Sequence, residues 1–170
     1  SWTKVHLHKN YDDNGNWARK GELETGLLGR LLDDPYFRLP APKSTGLEYF
    51  NMNWLNKALA DESPKPVDVQ TTLAELTALS VANSLADITP PKRLLVCGGG
   101  AHNAYLMRRI AAAIPDAIVE STARYGAEPD WVEGLLFAWL ARERLNESAQ
   151  DTRLITGANR PVLLGDIHEP

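Results

Sequence analysis

The apolar run Arg93-Leu94-Leu95-Val96-Cys97 meets three consecutive glycines, Gly98, Gly99 and Gly100, and Asn103 to Ile114 then takes up a helical repeat through Leu106, Met107, Ile110, Ala111 and Ile114. That order is strand, tight turn, helix. Ala117 to Glu120 reads as a second strand, and Val132, Leu135, Leu136, Trp139 and Leu140 follow the i, i+3, i+4, i+7, i+8 stripe of an amphipathic helix. A β-α-β-α order predicts parallel strands, so 89–170 is expected to form an α/β unit.

The residues before it predict mainly helix. Positions 1–21 are polar and turn-rich around Asp12-Asp13-Asn14-Gly15-Asn16, and are expected to be irregular. From 22 to 88 three helices are expected. The first carries Leu23, Leu27, Leu28, Leu31 and Leu32 and ends ahead of Pro35; the second runs from Tyr49 to Leu59. The third spans Val69 to Ile88, capped by Asp68, buried through Leu73, Leu76, Leu79 and Leu85, and stopped by Pro90-Pro91. The tail from Thr156 to Pro170 is turn-rich, with room for one short strand at Val162 to Leu164.

At 170 residues and ordinary apolar content, the chain suits one domain or one lobe of a larger protein. A net charge of −4, with both signs mixed along the sequence, argues against a nucleic-acid partner. Cys97 is the single cysteine, which excludes an internal disulfide and fits a reducing, cytoplasmic setting. Runs such as Leu135 to Leu140 are too short to span a bilayer, and Ser1 to Asn10 lacks the apolar stretch of a signal peptide, so no membrane partner is expected.

Gly98-Gly99-Gly100 between strand and helix lets a ligand approach the backbone, with the free amides of the helix facing it; a nucleotide suits such a turn. The alternative is that the glycines only permit a tight turn. A dinucleotide fingerprint fits in part, with Glu120 near the ribose-binding position, but Asn103 stands where its third glycine belongs. Lys43, Ser44 and Thr45 sit in a proline-braced loop, and Glu133 opens the helix that starts near Val132; each has a bland reading, as a solvated loop or a helix-terminal acid. His6 and His8 would share one side of an extended segment, but two histidines without a third ligand predict no structural metal. Trp131 and Trp139 are expected in the core or at its rim, and Cys97 as a small buried residue.

Cys97-Gly98-Gly99-Gly100-Ala101-His102-Asn103 resembles the adenosine-side motif of sugar kinases in the actin, Hsp70 and hexokinase superfamily. Pro40-Ala41-Pro42-Lys43-Ser44-Thr45-Gly46-Leu47-Glu48-Tyr49-Phe50 resembles the signature loop of anhydro-N-acetylmuramic acid kinases. So do Val69 to Thr77, Asp130 to Ala141, and Thr156-Gly157-Ala158 ahead of Val162 to Gly165. Gly134 departs from the alanine of that family. The resemblance implies a helix-rich C-terminal lobe of a ribonuclease-H-like, actin- or hexokinase-type kinase fold, lacking its leading β-hairpin, with 1–170 as one partial lobe. It implies ATP bound at Gly98, Gly99, Gly100 and Asn103, an anhydro amino sugar met by Lys43, Ser44, Thr45 and Glu133, Mg²⁺ in the intact enzyme, and a homodimer. The catalytic aspartate and an Asp-Thr-Gly-Pro-Gly-Asn phosphate loop are expected in an N-terminal lobe ahead of Ser1, so no catalytic residue is assigned within the chain.

Overall fold

The computed structural model describes residues 1–60, 62–85 and 92–168. The N-terminal stretch expected to be irregular opens instead with a helix, α1 (Trp2–Leu7), capped by Ser1, whose hydroxyl accepts from Lys4 N; two 3₁₀ turns follow at Asp13–Gly15 and Ala18–Lys20. The order comes from long-range contacts that local composition does not encode. Trp2 Nε1 donates to Pro66 O at 2.8 Å, and His6 packs against Trp2 with ring centroids 4.0 Å apart. His8 ends α1 in the left-handed conformation, so His6 and His8 do not lie on one extended segment.

α2 (Thr25–Leu32) buries Leu27, Leu28 and Leu31, while Leu23 lies outside it and exposed. Pro35 ends that helix and also begins α3 (Pro35–Arg38), with Asp34 as the cap. α4 (Met52–Leu59) starts later than its apolar spacing suggests because the Asn51 side chain caps it, accepting from Asn53 N and Trp54 N. α5 (Pro66–Leu85) begins at a proline, in the position where a missing N–H costs nothing. Asp68 is therefore not its cap but a buried residue of its first turn, and its carboxylate accepts from Glu22 N at 2.8 Å. The expected extension to Ile88 and the Pro90-Pro91 stop fall outside the described residues.

The core lies where α2, α4 and α5 meet, through Leu27, Leu31, Leu55, Leu59, Val69 and Leu76. Leu73, Leu79 and Leu85, expected inside, are only half-buried. The opposite flank of α5 buries polar groups. Thr71 Oγ1 donates to Ala18 O at 2.5 Å, Thr72 Oγ1 accepts from Glu24 N at 3.0 Å, and Glu75 takes a two-pronged contact from Arg109, at 2.5 and 2.9 Å. These bonds hold the backbone of 18–24 on one side and α6 (Ala104–Ala113) on the other, satisfying groups that burial would otherwise penalise.

β1 (Arg93–Val96) and β2 (Ile118–Ser121) form the expected parallel pair, Arg93 opposite Ile118 and Val96 opposite Ser121. Cys97 lies just beyond β1 and is exposed rather than buried. α7 (Val132–Leu145) forms as expected, yet none of its residues is buried: Leu135 is 58% exposed and Phe137 61%, and Trp131 just ahead of it 69%. The short strand expected at 162–164 is reduced to one antiparallel bridge between Gln150 and Val162, next to α8 (Arg153–Thr156). Among the described residues no helix is long and apolar enough to cross a membrane. The architecture is α/β and rich in helix.

Candidate nucleotide site

β1 delivers the chain to Gly98, whose φ of 74° belongs to the left-handed region that favours glycine. Gly98 N donates to Pro129 O at 2.9 Å, which ties the turn to the segment leading into α7. The chain then makes the 3₁₀ turn Gly99–His102, and Asn103 caps α6, its Oδ1 accepting from Leu106 N at 2.9 Å.

Neither Gly99 nor Gly100 has a positive φ. Among the described residues a Cβ built on Gly99 meets nothing within 4 Å, and one on Gly100 meets only Leu106 Cδ2 at 3.6 Å, an ordinary contact. The turn needs one glycine, Gly98, and the fold has no use for the other two. Their N–H groups have no protein acceptor among the described residues, whereas Ala101 N and Asn103 N are bonded within the turn.

Gly99, Gly100, His102, Asn103 and Asp130 form one wall of a cleft of about 660 Å³, faced by Asn10 to Asn14. His102 Nε2 lies 3.0 and 3.1 Å from the two Asp130 oxygens. Asp12 is occupied by the backbone, accepting from Trp17 N and Ala18 N at 2.8 Å each. Among the described residues the lining contains acids but no lysine or arginine. The α6 amides, expected to be free for a ligand, are largely taken: Ala104 N donates to Asn14 Oδ1 at 3.0 Å and Leu106 N to Asn103.

Of the residues singled out by sequence, the structure brings Gly99, Gly100 and Asn103 together in the cleft, with Gly98 shaping the turn behind them. Lys43, Ser44, Thr45 and Glu133 lie elsewhere. Lys43 Nζ donates to Tyr36 O and Phe37 O, both at 3.2 Å, and lies 5.0 Å over the Tyr36 ring. It borders a second pocket, of about 370 Å³, walled by Tyr36, Phe37, Phe50 and Trp54. Ser44, Thr45 and Glu133 are exposed. The loop carrying Lys43 is organised by Asp34, which accepts from Trp54 Nε1, Tyr49 OH and Tyr36 N at 2.8 to 2.9 Å. Partial burial pushes that carboxyl upward, but the hydrogen bonds from Trp54, Tyr36 and Tyr49 and the charge of Arg38 outweigh it and hold Asp34 below its ordinary value.

Glu120, the acid a dinucleotide site would use for ribose, is committed within the fold. It is buried, with Arg93 at 2.7 Å, Arg124 at 2.9 Å and the Tyr125 hydroxyl at 2.7 Å. The Tyr125 hydrogen bond, then Arg124 and Arg93, lower its pKa against the opposing effect of desolvation.

The family model for anhydro-N-acetylmuramic acid kinase matches residues 1–170. The chain belongs to the anhydro-N-acetylmuramic acid kinase family. Curated relatives bearing that name agree. Those of Xylella fastidiosa and Actinobacillus pleuropneumoniae are each 48% identical over 99% of this chain, covering 44% and 46% of their own lengths. That of Coxiella burnetii is 44% identical over 99% of this chain and 45% of its own length. The chain thus spans less than half of these anhydro-N-acetylmuramic acid kinases. Within the shared region, sequence reasoning passed over Asn14, His102 and Asp130 as cleft residues. Asn14-Gly15 is legible as a turn, but its partner lies 90 positions away.

Proposed function

We propose that this chain is the nucleotide-holding lobe of an ATP-dependent anhydro-N-acetylmuramic acid kinase acting in cytoplasmic peptidoglycan recycling. The observation that carries the reading is the pair Gly99 and Gly100, two glycines that the backbone does not require, facing a cleft with unpaired amides. A cleft lined among the described residues by Asp12, Asp13 and Asp130, with His102 paired to Asp130 and no lysine or arginine, repels a triphosphate and suits the uncharged nucleoside end, with the phosphates extending beyond it.

In the intact kinase, water adds to the anomeric carbon of the 1,6-anhydro sugar and passes its proton to a general base. The bond from that carbon to the 6-oxygen breaks, and this oxygen takes the γ-phosphoryl group, leaving ADP and the 6-phosphate of N-acetylmuramic acid. No Asp-Thr-Gly-Pro-Gly-Asn stretch occurs among these 170 residues. Nor do the described residues hold a group of three His, Cys, Asp or Glu placed for a metal ion. We therefore assign the catalytic base, the phosphate loop and the protein ligands of Mg²⁺ to a complementary lobe, the two together making a ribonuclease-H-like kinase that dimerises. The uncovered apolar face of α7 suits that lobe, because the curated relatives are more than twice as long as the region they share with this chain. Sugar contacts by Lys43, Ser44, Thr45 and Glu133 belong to the same assembly, and the chain by itself is expected to show no kinase turnover.

The test is a titration of the chain with a fluorescent ATP analogue. Gly99→Val leaves the circular dichroism spectrum unchanged, since its Cβ enters open space, and raises Kd at least about tenfold, the effect of filling the contact surface. An unchanged Kd in the folded variant, or no binding by the unaltered chain, overturns the nucleotide reading.

A further inference from the structure

We infer that Asn14 is a positioning residue for the nucleoside end of ATP, the clamp that fixes the distance between the two walls of the cleft; the inference rests on the nucleotide reading above. Asn14 has a φ of 55°, a left-handed conformation that asparagine adopts more readily than most residues with a side chain. The turn around it is closed by Gly15 N donating to Asp12 O at 3.1 Å and Asn16 N to Asp13 O at 3.0 Å, and its side chain makes a long-range bond, Oδ1 accepting from Ala104 N at 3.0 Å. Its neighbour Gly15 is buried with a φ of 66°, and a Cβ there falls 2.4 Å from Asn103 Oδ1 and 2.5 Å from Tyr105 Cβ. The chain at 14–15 is therefore pressed directly against the cap of α6.

The geometry has a direct consequence for the ligand. Asn103 ends the glycine turn and begins α6, so whatever fixes Asn103 and Ala104 also fixes Gly99 and Gly100. The facing wall, Asn10 to Asn14, reaches that unit through Asn14 and Gly15. Both walls line the same cleft, and the base and ribose of a nucleotide must fit between them. Asn14 sets the gap. It also occupies Ala104 N, which leaves the amides of Gly99 and Gly100 as the donors offered to the ligand.

Asn14→Gly separates this role from simple backbone strain, because glycine adopts the same φ without a steric penalty while the side chain that accepts from Ala104 N is removed. In the titration with the fluorescent ATP analogue, Asn14→Gly is expected to raise Kd roughly five- to tenfold, the loss of one hydrogen bond. Adenosine, used as competitor, should weaken by the same factor, since the walls hold the nucleoside end. Asn14→Asp keeps an acceptor for Ala104 N and restores adenosine binding to within about threefold of the unaltered chain. Asn51→Ala is the control for stability alone: it deletes a cap of similar kind on α4, away from the cleft, and leaves Kd unchanged. If Asn14→Gly binds adenosine and ATP normally while Gly99→Val does not, the clamp is overturned and the nucleotide site stands. If Asn14→Gly and Asn51→Ala weaken binding equally, the effect is one of stability and the clamp is likewise overturned. If Gly99→Val is also without effect, the site itself is lost and the clamp with it.

Discussion

α2 and α7 carry comparable leucine-rich stripes, and the structure treats them in opposite ways. Leu27 and Leu31 of α2 are 1% and 0% exposed between α4 and α5, whereas α7 presents Leu135, Leu136, Phe137 and Trp139 to solvent. Apolar periodicity specifies that a helix has a face to bury; it carries no information about whether the covering surface belongs to the same stretch of chain. On α2 the cover is supplied within these residues. On α7 it is not.

The largest expected effect follows from that contrast. Leu31→Ala empties a fully enclosed position and should cost about 2 to 5 kcal/mol in urea denaturation. Leu135→Ala in the same chain should fall within about 0.5 kcal/mol of zero. Similar losses at the two positions would mean that α7 is covered in solution, by self-association or otherwise, and the contrast would fail.

A second way to sharpen it uses acid. Asp34 anchors the aromatic loop to the packed region, and its carboxyl is held below its ordinary value of 3.8. A depressed folded pKa means that this contribution is complete above the unfolded pKa and is lost as pH falls below about 4 through the folded value. Asp34→Asn should therefore lower stability near neutral pH by about 1.5 kcal/mol, the lower end for hydrogen bonds to a charged group, since the carboxylate is partly exposed. It should also flatten the loss of stability below pH 4. An unaltered acid limb would show that the loop is not anchored through this charge.

The same contrast explains which parts of the molecule were legible in the sequence. Leu27, Leu28 and Leu31 were readable because water alone decides which side of a helix leucines take. The β-α-β order around Gly98 was readable because a glycine turn between an apolar run and a helical repeat leaves few arrangements. Asp68, Thr71, Thr72 and Glu75 show the limit. They form a polar stripe at helical spacing, which by pattern belongs to solvent, yet they are buried because the backbone of 18–24 and Arg109 supply their partners. The clamp at Asn14 is hidden for the same reason. Its turn is local, but its meaning depends on Ala104. Cys97 and Trp131 are exposed, against the expectation from sequence, because among the described residues no neighbour provides a surface to cover them.

Glycine at 134 offers a smaller test on the α7 side. A Cβ there meets nothing within 4 Å among the described residues, and the backbone is helical, so Gly134→Ala adds helix propensity without a clash. The expected gain is about 0.5 kcal/mol, less than the full value because the residue lies in the first turn. A loss measured by thermal unfolding would mean that something packs against this position, contrary to an uncovered α7.

The smallest expected effect concerns Glu133, in the first turn of the same helix. Its side chain is exposed and has no hydrogen-bond partner among the described residues, so in the isolated chain its contribution is limited to attraction by the positive end of the helix. Glu133→Gln keeps the size of the side chain and removes the charge, and should cost about 0.3 kcal/mol at low salt, shrinking further in 1 M salt as screening sets in. That value is the baseline against which a role in sugar recognition must be measured. In the intact kinase proposed above, a carboxylate that accepts hydrogen bonds from sugar hydroxyls should lower kcat/KM for the sugar by about 1.5 to 3 kcal/mol when replaced, with nucleotide affinity unchanged. The two outcomes differ by several-fold in energy and appear in different measurements. A kinetic loss confined to the sugar places Glu133 at the substrate, whereas a small salt-sensitive loss of stability with normal kinetics leaves it as a helix-terminal acid.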